Sequence, residues 1–146
     1  MTFSEVDMDL FSSNSNAYLA HCISSDFAMG AGIAKTFTYK GVRDTLFKLY
    51  TPTWDDHGYS LFTPMTPFLG VYNLVTKHRF YDKPTYQTLR ESLTDMKQKL
   101  PNDCNLNMPC IGSGLDKLDW TQVKQVILDV FFDTNINITI CHYQRP

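Results

Sequence analysis

The stretch from Ala17 to Ala34, AYLAHCISSDFAMGAGIA, decides how this 146-residue chain folds. Ala17-Tyr18-Leu19-Ala20-His21-Cys22-Ile23 is a short, mostly apolar run of strand length. A polar loop beginning Ser24-Ser25-Asp26 follows, then Gly30-Ala31-Gly32, then Ile33-Ala34 opening a helix. Strand, glycine-rich loop and helix start in that order form the repeating unit of α/β folds. Glycines let a backbone approach a ligand closely, and a helix start presents free N–H groups to an anion. A lone G-x-G is as readily a tight turn that relieves steric crowding, so this loop needs a companion before it implies a ligand.

The companion is Cys110-Ile111-Gly112-Ser113-Gly114-Leu115-Asp116, which follows the apolar run Leu106-Asn107-Met108-Pro109 and again reads as strand, glycine pair, helix. Two such loops at neighbouring strand ends can form the N–H nest that a diphosphate needs. Neither carries the G-K-[ST] of a phosphate-binding Walker loop or the G-x-G-x-x-G of dinucleotide folds, which argues against a nucleoside triphosphatase and an NAD dehydrogenase. Val71–Thr76 and Ile136–Cys141 read as further strands. Tyr86, Leu89, Leu93, Met96 and Leu100 recur at helical spacing between Pro84 and Pro101. Val123, Val126, Ile127, Val130 and Phe131 do the same beyond Asp119, a candidate N-cap. Alternating strands and helices imply one sheet covered on both faces, with ligands expected beyond the carboxyl ends of its strands.

Hydrophobic residues make up 43% of the chain, aromatics 14% and charged residues 19%, the composition of a globular protein. Residues 1–146 are expected to form a single domain. Thirteen Lys plus Arg against fifteen Asp plus Glu leave a formal charge of −2, which excludes a global footprint for duplex nucleic acid. The N-terminus lacks a basic segment followed by an apolar one, and no apolar run is long enough to span a bilayer; an intracellular protein, cytoplasmic or nuclear, is expected. Cys22, Cys104, Cys110 and Cys141 are widely spaced without a C-x-x-C pair. They are expected to be reduced and mostly buried, with no metal site. In the turn-rich stretch Thr51–Gly58, Trp54 is expected to pin the loop.

Taken together, Ala20-His21-Cys22-Ile23-Ser24 leading to Met29-Gly30-Ala31-Gly32-Ile33-Ala34, then Val75-Thr76-Lys77, Lys83-Pro84-Thr85-Tyr86, and Met108-Pro109 leading to Ile111-Gly112-Ser113-Gly114-Leu115-Asp116, closely resemble the macrodomain family. Within it the chain is most similar to the terminal ADP-ribose protein glycohydrolase branch, in order from about Asp9 to Tyr143. The resemblance implies a three-layer α/β/α sandwich with a central mixed sheet, and ADP-ribose lying across the strand ends. It implies Lys77 as the nucleophile toward the anomeric carbon of the distal ribose and Asp116 as the residue that assists and then resolves the adduct. Substrate contacts carried over are Asp9 and Leu10 on the adenine side, Ser24, Gly30, Gly32, the run Cys110, Ile111, Gly112, Ser113, Gly114 and Leu115, and Tyr143. No metal or cofactor is implied. The partners are ADP-ribose and ADP-ribosylated substrates, with nucleic acid only as a modified substrate and a monomer expected. Three positions depart from the branch: Met8 stands where a glycine usually precedes the aspartate, Cys110 where arginine is common, and Tyr143 where leucine is expected.

For a lysine to act as a nucleophile it must lose its proton, so Lys77 is expected to be partly desolvated, with Arg79 as a helpful neighbouring charge. Asp116 is equally readable as a helix N-terminal residue, and His21, set among apolar residues, as a satisfied core histidine. The leading function is removal of mono-ADP-ribose from acidic side chains, with ADP-ribose 1″-phosphate, O-acetyl-ADP-ribose and ADP-ribosylated nucleic acid as related substrates. A non-catalytic ADP-ribose reader is the alternative. A weaker one is a single-strand nucleic-acid binder stacking bases on Phe27, Trp54 and Tyr81.

Overall fold

The computed structural model describes residues Met1–Tyr143. Six strands, β1 Thr2–Asp7, β2 Tyr18–Ser24, β3 Tyr59–Thr63, β4 Gly70–Lys77, β5 Asn105–Met108 and β6 Asn137–His142, form one sheet in the order β1-β6-β5-β2-β4-β3. Every neighbouring pair is parallel except β3 with β4, so the sheet is mixed. Two helices, α1 Gly32–Tyr39 and α2 Val42–Leu49, pack on one face, where Leu19, Ile23, Val71 and Val75 meet Phe37, Val42 and Leu46. On the other face α3 Tyr86–Lys99 and α4 Trp120–Phe131 cover Ala20, Leu74, Leu106 and Ile138 with Leu89, Leu93, Val123 and Ile127. This is the expected α/β/α sandwich. β4 is buried along Gly70–Thr76, as a central strand between two helical layers must be.

The anticipated strands and helices appear close to where they were read. α3 starts from a capping box at Thr85 and α4 from Asp119, whose side chain accepts from the Thr121 N–H. Edge strands β1 and β3 and helix α2 are additions to the sequence reading. One element differs: the second glycine loop does not pass straight into a helix, because Pro109–Asp119 is a run of turns and α4 begins only at Trp120. Asp116 therefore lies in a loop, and the helix-terminus reading of it is set aside. No helix among the described residues is long and apolar enough to cross a membrane.

Candidate active site

In a parallel array the carboxyl ends of adjacent strands lie along one edge, and the sequence places its chemistry there. β2 sits between β5 and β4, paired in parallel with both. The loop after β2 and the loop after β5 are consequently neighbours, and a Cβ built on Gly32 would stand 3.4 Å from Leu115 Cδ1. The two glycine loops meet at one strand-end edge.

In the first loop, Gly32 has φ +60° and opens α1, whose N-cap, Ala31, supplies no side-chain hydrogen bond to the helix start. Its first N–H groups thus lack the capping oxygen that most helices use. In the second loop, Gly112 has φ +73°, with Leu118 Cδ1 3.1 Å from its added Cβ. Gly30 and Gly114 are different: neither has a positive φ, a Cβ on Gly114 meets nothing within 4 Å, and one on Gly30 meets only Ala28 O at 3.9 Å. The fold does not require glycine at these two exposed positions.

Ser24 is buried at the end of β2, its hydroxyl donating to Asp26. Asp26 also accepts the Ala28 and Phe80 N–H groups, joining the β2 loop to the loop after β4. Ser113 donates to Cys110 O at 2.8 Å, tightening the second turn. Ile111 is buried, whereas Leu115 is 63% exposed over Gly32.

Lys77, the last residue of β4, and Asp116 form an ion pair of 2.6 Å between Nζ and Oδ1, with side-chain exposures of 13% and 15%. Lys77 is thus partly desolvated, as expected. The charge in contact with its ammonium is the Asp116 carboxylate, which is an acceptor for the lysine proton. Beneath lies Cys22, whose thiol is pushed up to about 12 by burial and by the charge of Asp116, and so stays neutral. Lys83 and Tyr86, quoted from the sequence without a role, hold this loop at its surface: Lys83 Nζ donates to Leu115 O at 2.9 Å, and Tyr86 accepts the Asp119 N–H at 3.0 Å.

At the far end of the edge, Asp9 accepts from the Phe11 N–H and caps the 3-10 turn Leu10–Ser12. Leu10 is 2% exposed and belongs to the α1/α2 core, while Tyr143 is 63% exposed beyond β6. Cys110 lies 3.1 Å (Sγ) from His142 Nδ1, and His142 Nε2 lies 2.8 Å from Glu5 Oε1. Glu5 also accepts from Trp120 and Lys124, and these partners hold its carboxyl near 2. The arrangement fixes the histidine with Nε2–H toward Glu5 and Nδ1 toward the thiol, tying β1, β6, α4 and the second glycine loop together. Burial, and then Glu5, push the Cys110 thiol up to about 11.

Three expectations need correction. Of the four cysteines only Cys141 is buried; the others are partly exposed. His21 is a core residue, stacked on Phe37 with Nε2 2.6 Å from Asn73 Oδ1, but its Nδ1 has no partner among the described residues. Phe27 is fully buried and cannot stack a base, so it drops out of the nucleic-acid platform, of which Tyr81 is 68% exposed. Trp54 is partly buried, packs against the α1/α2 core and lies parallel to His78, as a loop pin should.

A mixed sheet between two helical layers, with paired glycine loops and a lysine–aspartate pair on one strand-end edge, defines a macrodomain. Comparison with protein-family models returns no match. The chain is 40% identical over 136 residues to the ADP-ribose glycohydrolase OARD1 of Bos taurus and to that of Homo sapiens, covering 90% of this chain and 86% of each relative. Among solved structures it is similar to the macrodomain of Thermus aquaticus DarG, with a TM-score of 0.73, 18% identity and 99% of both chains covered. It also matches Thermosipho africanus DarTG in complex with ADP-ribose, with a TM-score of 0.67, 19% identity, and coverage of 98% of this chain and 42% of that one. The chain belongs to the macrodomain family, in the branch of the terminal ADP-ribose protein glycohydrolases.

Proposed function

We propose that this chain removes mono-ADP-ribose from carboxylate side chains of modified proteins. The supporting observation is the Lys77–Asp116 pair at 2.6 Å, secluded at the strand-end edge beside the two glycine loops. The ligand's pyrophosphate lies over α1's uncapped start and Gly112 to Gly114, where Gly30 and Gly114 leave room that the fold does not itself need. Ser24, Cys110, Ile111, Ser113 and Leu115 frame that path, and the adenine lies toward Asp9, Leu10 and Tyr143.

Asp116 takes a proton from the Lys77 ammonium, and the freed amine forms a bond to the anomeric carbon of the distal ribose as the ester oxygen leaves with the protein carboxylate. The proton on Asp116 passes to the departing carboxylate; Asp116 then moves a proton from the bound nitrogen to the ring oxygen, which opens the sugar to a protonated imine, and finally takes one from the water that adds to the imine carbon and returns it to the lysine nitrogen as that bond breaks. A reader module needs only the phosphate loops and an adenine pocket; a paired lysine and aspartate at this position favour the enzyme. The OARD1 relatives bear the name of an ADP-ribose glycohydrolase, in agreement with this reading.

The test is incubation with glutamate-linked ADP-ribosylated protein and chromatographic detection of free ADP-ribose. Release by the wild type is expected. Binding of ADP-ribose without release from any ester would overturn the enzyme in favour of the reader. ADP-ribose 1″-phosphate, O-acetyl-ADP-ribose and ADP-ribosylated oligonucleotide run alongside rank the related substrates.

A further inference from the structure

On the proposed binding mode the ligand follows the strand order, from Tyr143 and Asp9 beside β6 and β1, over the β5 and β2 loops, to Lys77 at the end of β4. The next strand outward is β3. It is antiparallel to β4, with Tyr59 opposite Val75, so the chain entering β3 lies at the same edge as Lys77. There a recess of about 200 Å³ is lined by Ser25, Asp26, Pro52, Thr53, Trp54, His78 and Arg79. It lies at the strand end that carries the lysine: His78 is the next residue, and the Ser25 N–H donates to Lys77 O at 2.9 Å. On that binding mode this recess is the next one along the edge beyond the distal ribose.

The walls say what fits. The Trp54 indole is parallel to the His78 imidazole within 7° at a centroid separation of 6.3 Å, and the two rings line the recess together. Its Nε1 donates to Asp56. Asp26 accepts from Ser24, Ala28 and Phe80; against the cost of burial, these bonds and the charge of Arg79 hold its carboxyl below the usual range. Arg79 is exposed and makes no salt bridge among the described residues.

We infer that this recess is the subsite for the polypeptide carrying ADP-ribose, and that Arg79 selects acidic segments by pairing with a carboxylate next to the modified residue. The inference rests on the proposed function and names its substrate class. A guanidinium that is free, planar and fork-shaped is suited to a carboxylate, and Trp54 and His78 hold the recess open beside it.

The experiment uses glutamyl-ADP-ribosyl peptides with acidic or neutral flanks, and the ADP-ribosyl ester of a small carboxylic acid. Arg79→Ala is expected to lower kcat/KM on the acidic peptide about fivefold, the size of an exposed ion pair, through KM. Turnover of the small ester and affinity for ADP-ribose stay unchanged, and Arg79→Lys recovers part of the loss. In a Lys77→Ala background the extra affinity for the acidic peptide over free ADP-ribose is read by calorimetry, without catalysis, and Arg79→Ala abolishes it. Equal effects on peptide and small ester, no effect on either, or a loss seen only with an ADP-ribosylated oligonucleotide would overturn the inference. Wild-type inertness toward every ester, with the calorimetric preference intact, would instead refute the catalytic reading alone.

Discussion

Lys77 and Asp116 are 39 residues apart in sequence and 2.6 Å apart in space, reaching toward each other across the end of β2 from the strands on either side of it. Neither residue is placed by its own loop alone. The β4 strand fixes the lysine, and the turn tied down by Lys83 and Tyr86 fixes the aspartate. If the pair acts as one unit, Lys77→Ala and Asp116→Asn should each lower single-turnover release of ADP-ribose by about 100-fold or more. The double variant should lose scarcely more than either single one. Calorimetry should find ADP-ribose affinity within about threefold of wild type in all three. Additive losses would separate the two roles.

The glycines divide into those the backbone needs and those it does not, and the two kinds should respond differently. Gly112→Ala places a Cβ at φ +73° and 3.1 Å from Leu118 Cδ1. A left-handed non-glycine residue costs about 1–2 kcal/mol, so urea unfolding should show a loss of that order. Gly114→Ala meets nothing within 4 Å and should leave stability within about 0.5 kcal/mol, while lowering ADP-ribose affinity because the methyl occupies the path assigned to the pyrophosphate. Unchanged affinity in Gly114→Ala would move the phosphate away from this loop.

Much of this was legible in the sequence, for a physical reason: buried strands and amphipathic helices carry their burial as periodicity. β2, β4 and β6 read as apolar runs, and α3 and α4 as stripes with caps. β1 and β3 did not, since both are edge strands; β1, Thr2–Asp7, is mostly exposed and carries Glu5 in its middle. Helix α2 buries only Val42 and Leu46, too narrow a stripe to stand out. Within the site, the glycine loops were readable from their spacing and the lysine and aspartate only through the family resemblance, whereas the Glu5–His142–Cys110 chain was not readable. It joins residues 137 and 32 positions apart, and only the parallel register of β1, β6 and β5 brings them together.

Lys83 illustrates a residue whose motif was visible and whose function was not. It anchors the carbonyl of Leu115 at the surface, at 2.9 Å. Lys83→Met keeps the length of the stem and removes the donor. Because the bond is exposed, thermal stability should shift by no more than about 0.5 kcal/mol. Since the loop carries Asp116 and, on the proposed binding mode, the amides that face the phosphates, the loss should appear as a fall of about threefold in ADP-ribose affinity, an exposed charged bond's share. A variant indistinguishable from wild type in binding would show that the loop holds its shape without this anchor.

His21 gives the fold a pH dependence separate from the chemistry. Burial pushes its imidazole down from 6.5 to about 4, against the opposing pull of the Asn73 hydrogen bond. Between these values the unfolded chain binds a proton that the folded chain refuses, so stability rises with pH across the window. The contribution is fully present above 6.5 and is lost as pH falls toward 4, about 3 kcal/mol in all. Carboxylates held low, such as Glu5 near 2, begin to withdraw their own contribution only below about 4.5, which leaves pH 6.5 to 4.5 to the histidine. Urea unfolding of wild type and His21→Leu across that interval checks it. The variant starts lower, having left the Asn73 carbonyl without its donor, but its stability should stay nearly level while that of the wild type declines. Parallel curves would mean that the buried imidazole takes up its proton in the folded state after all.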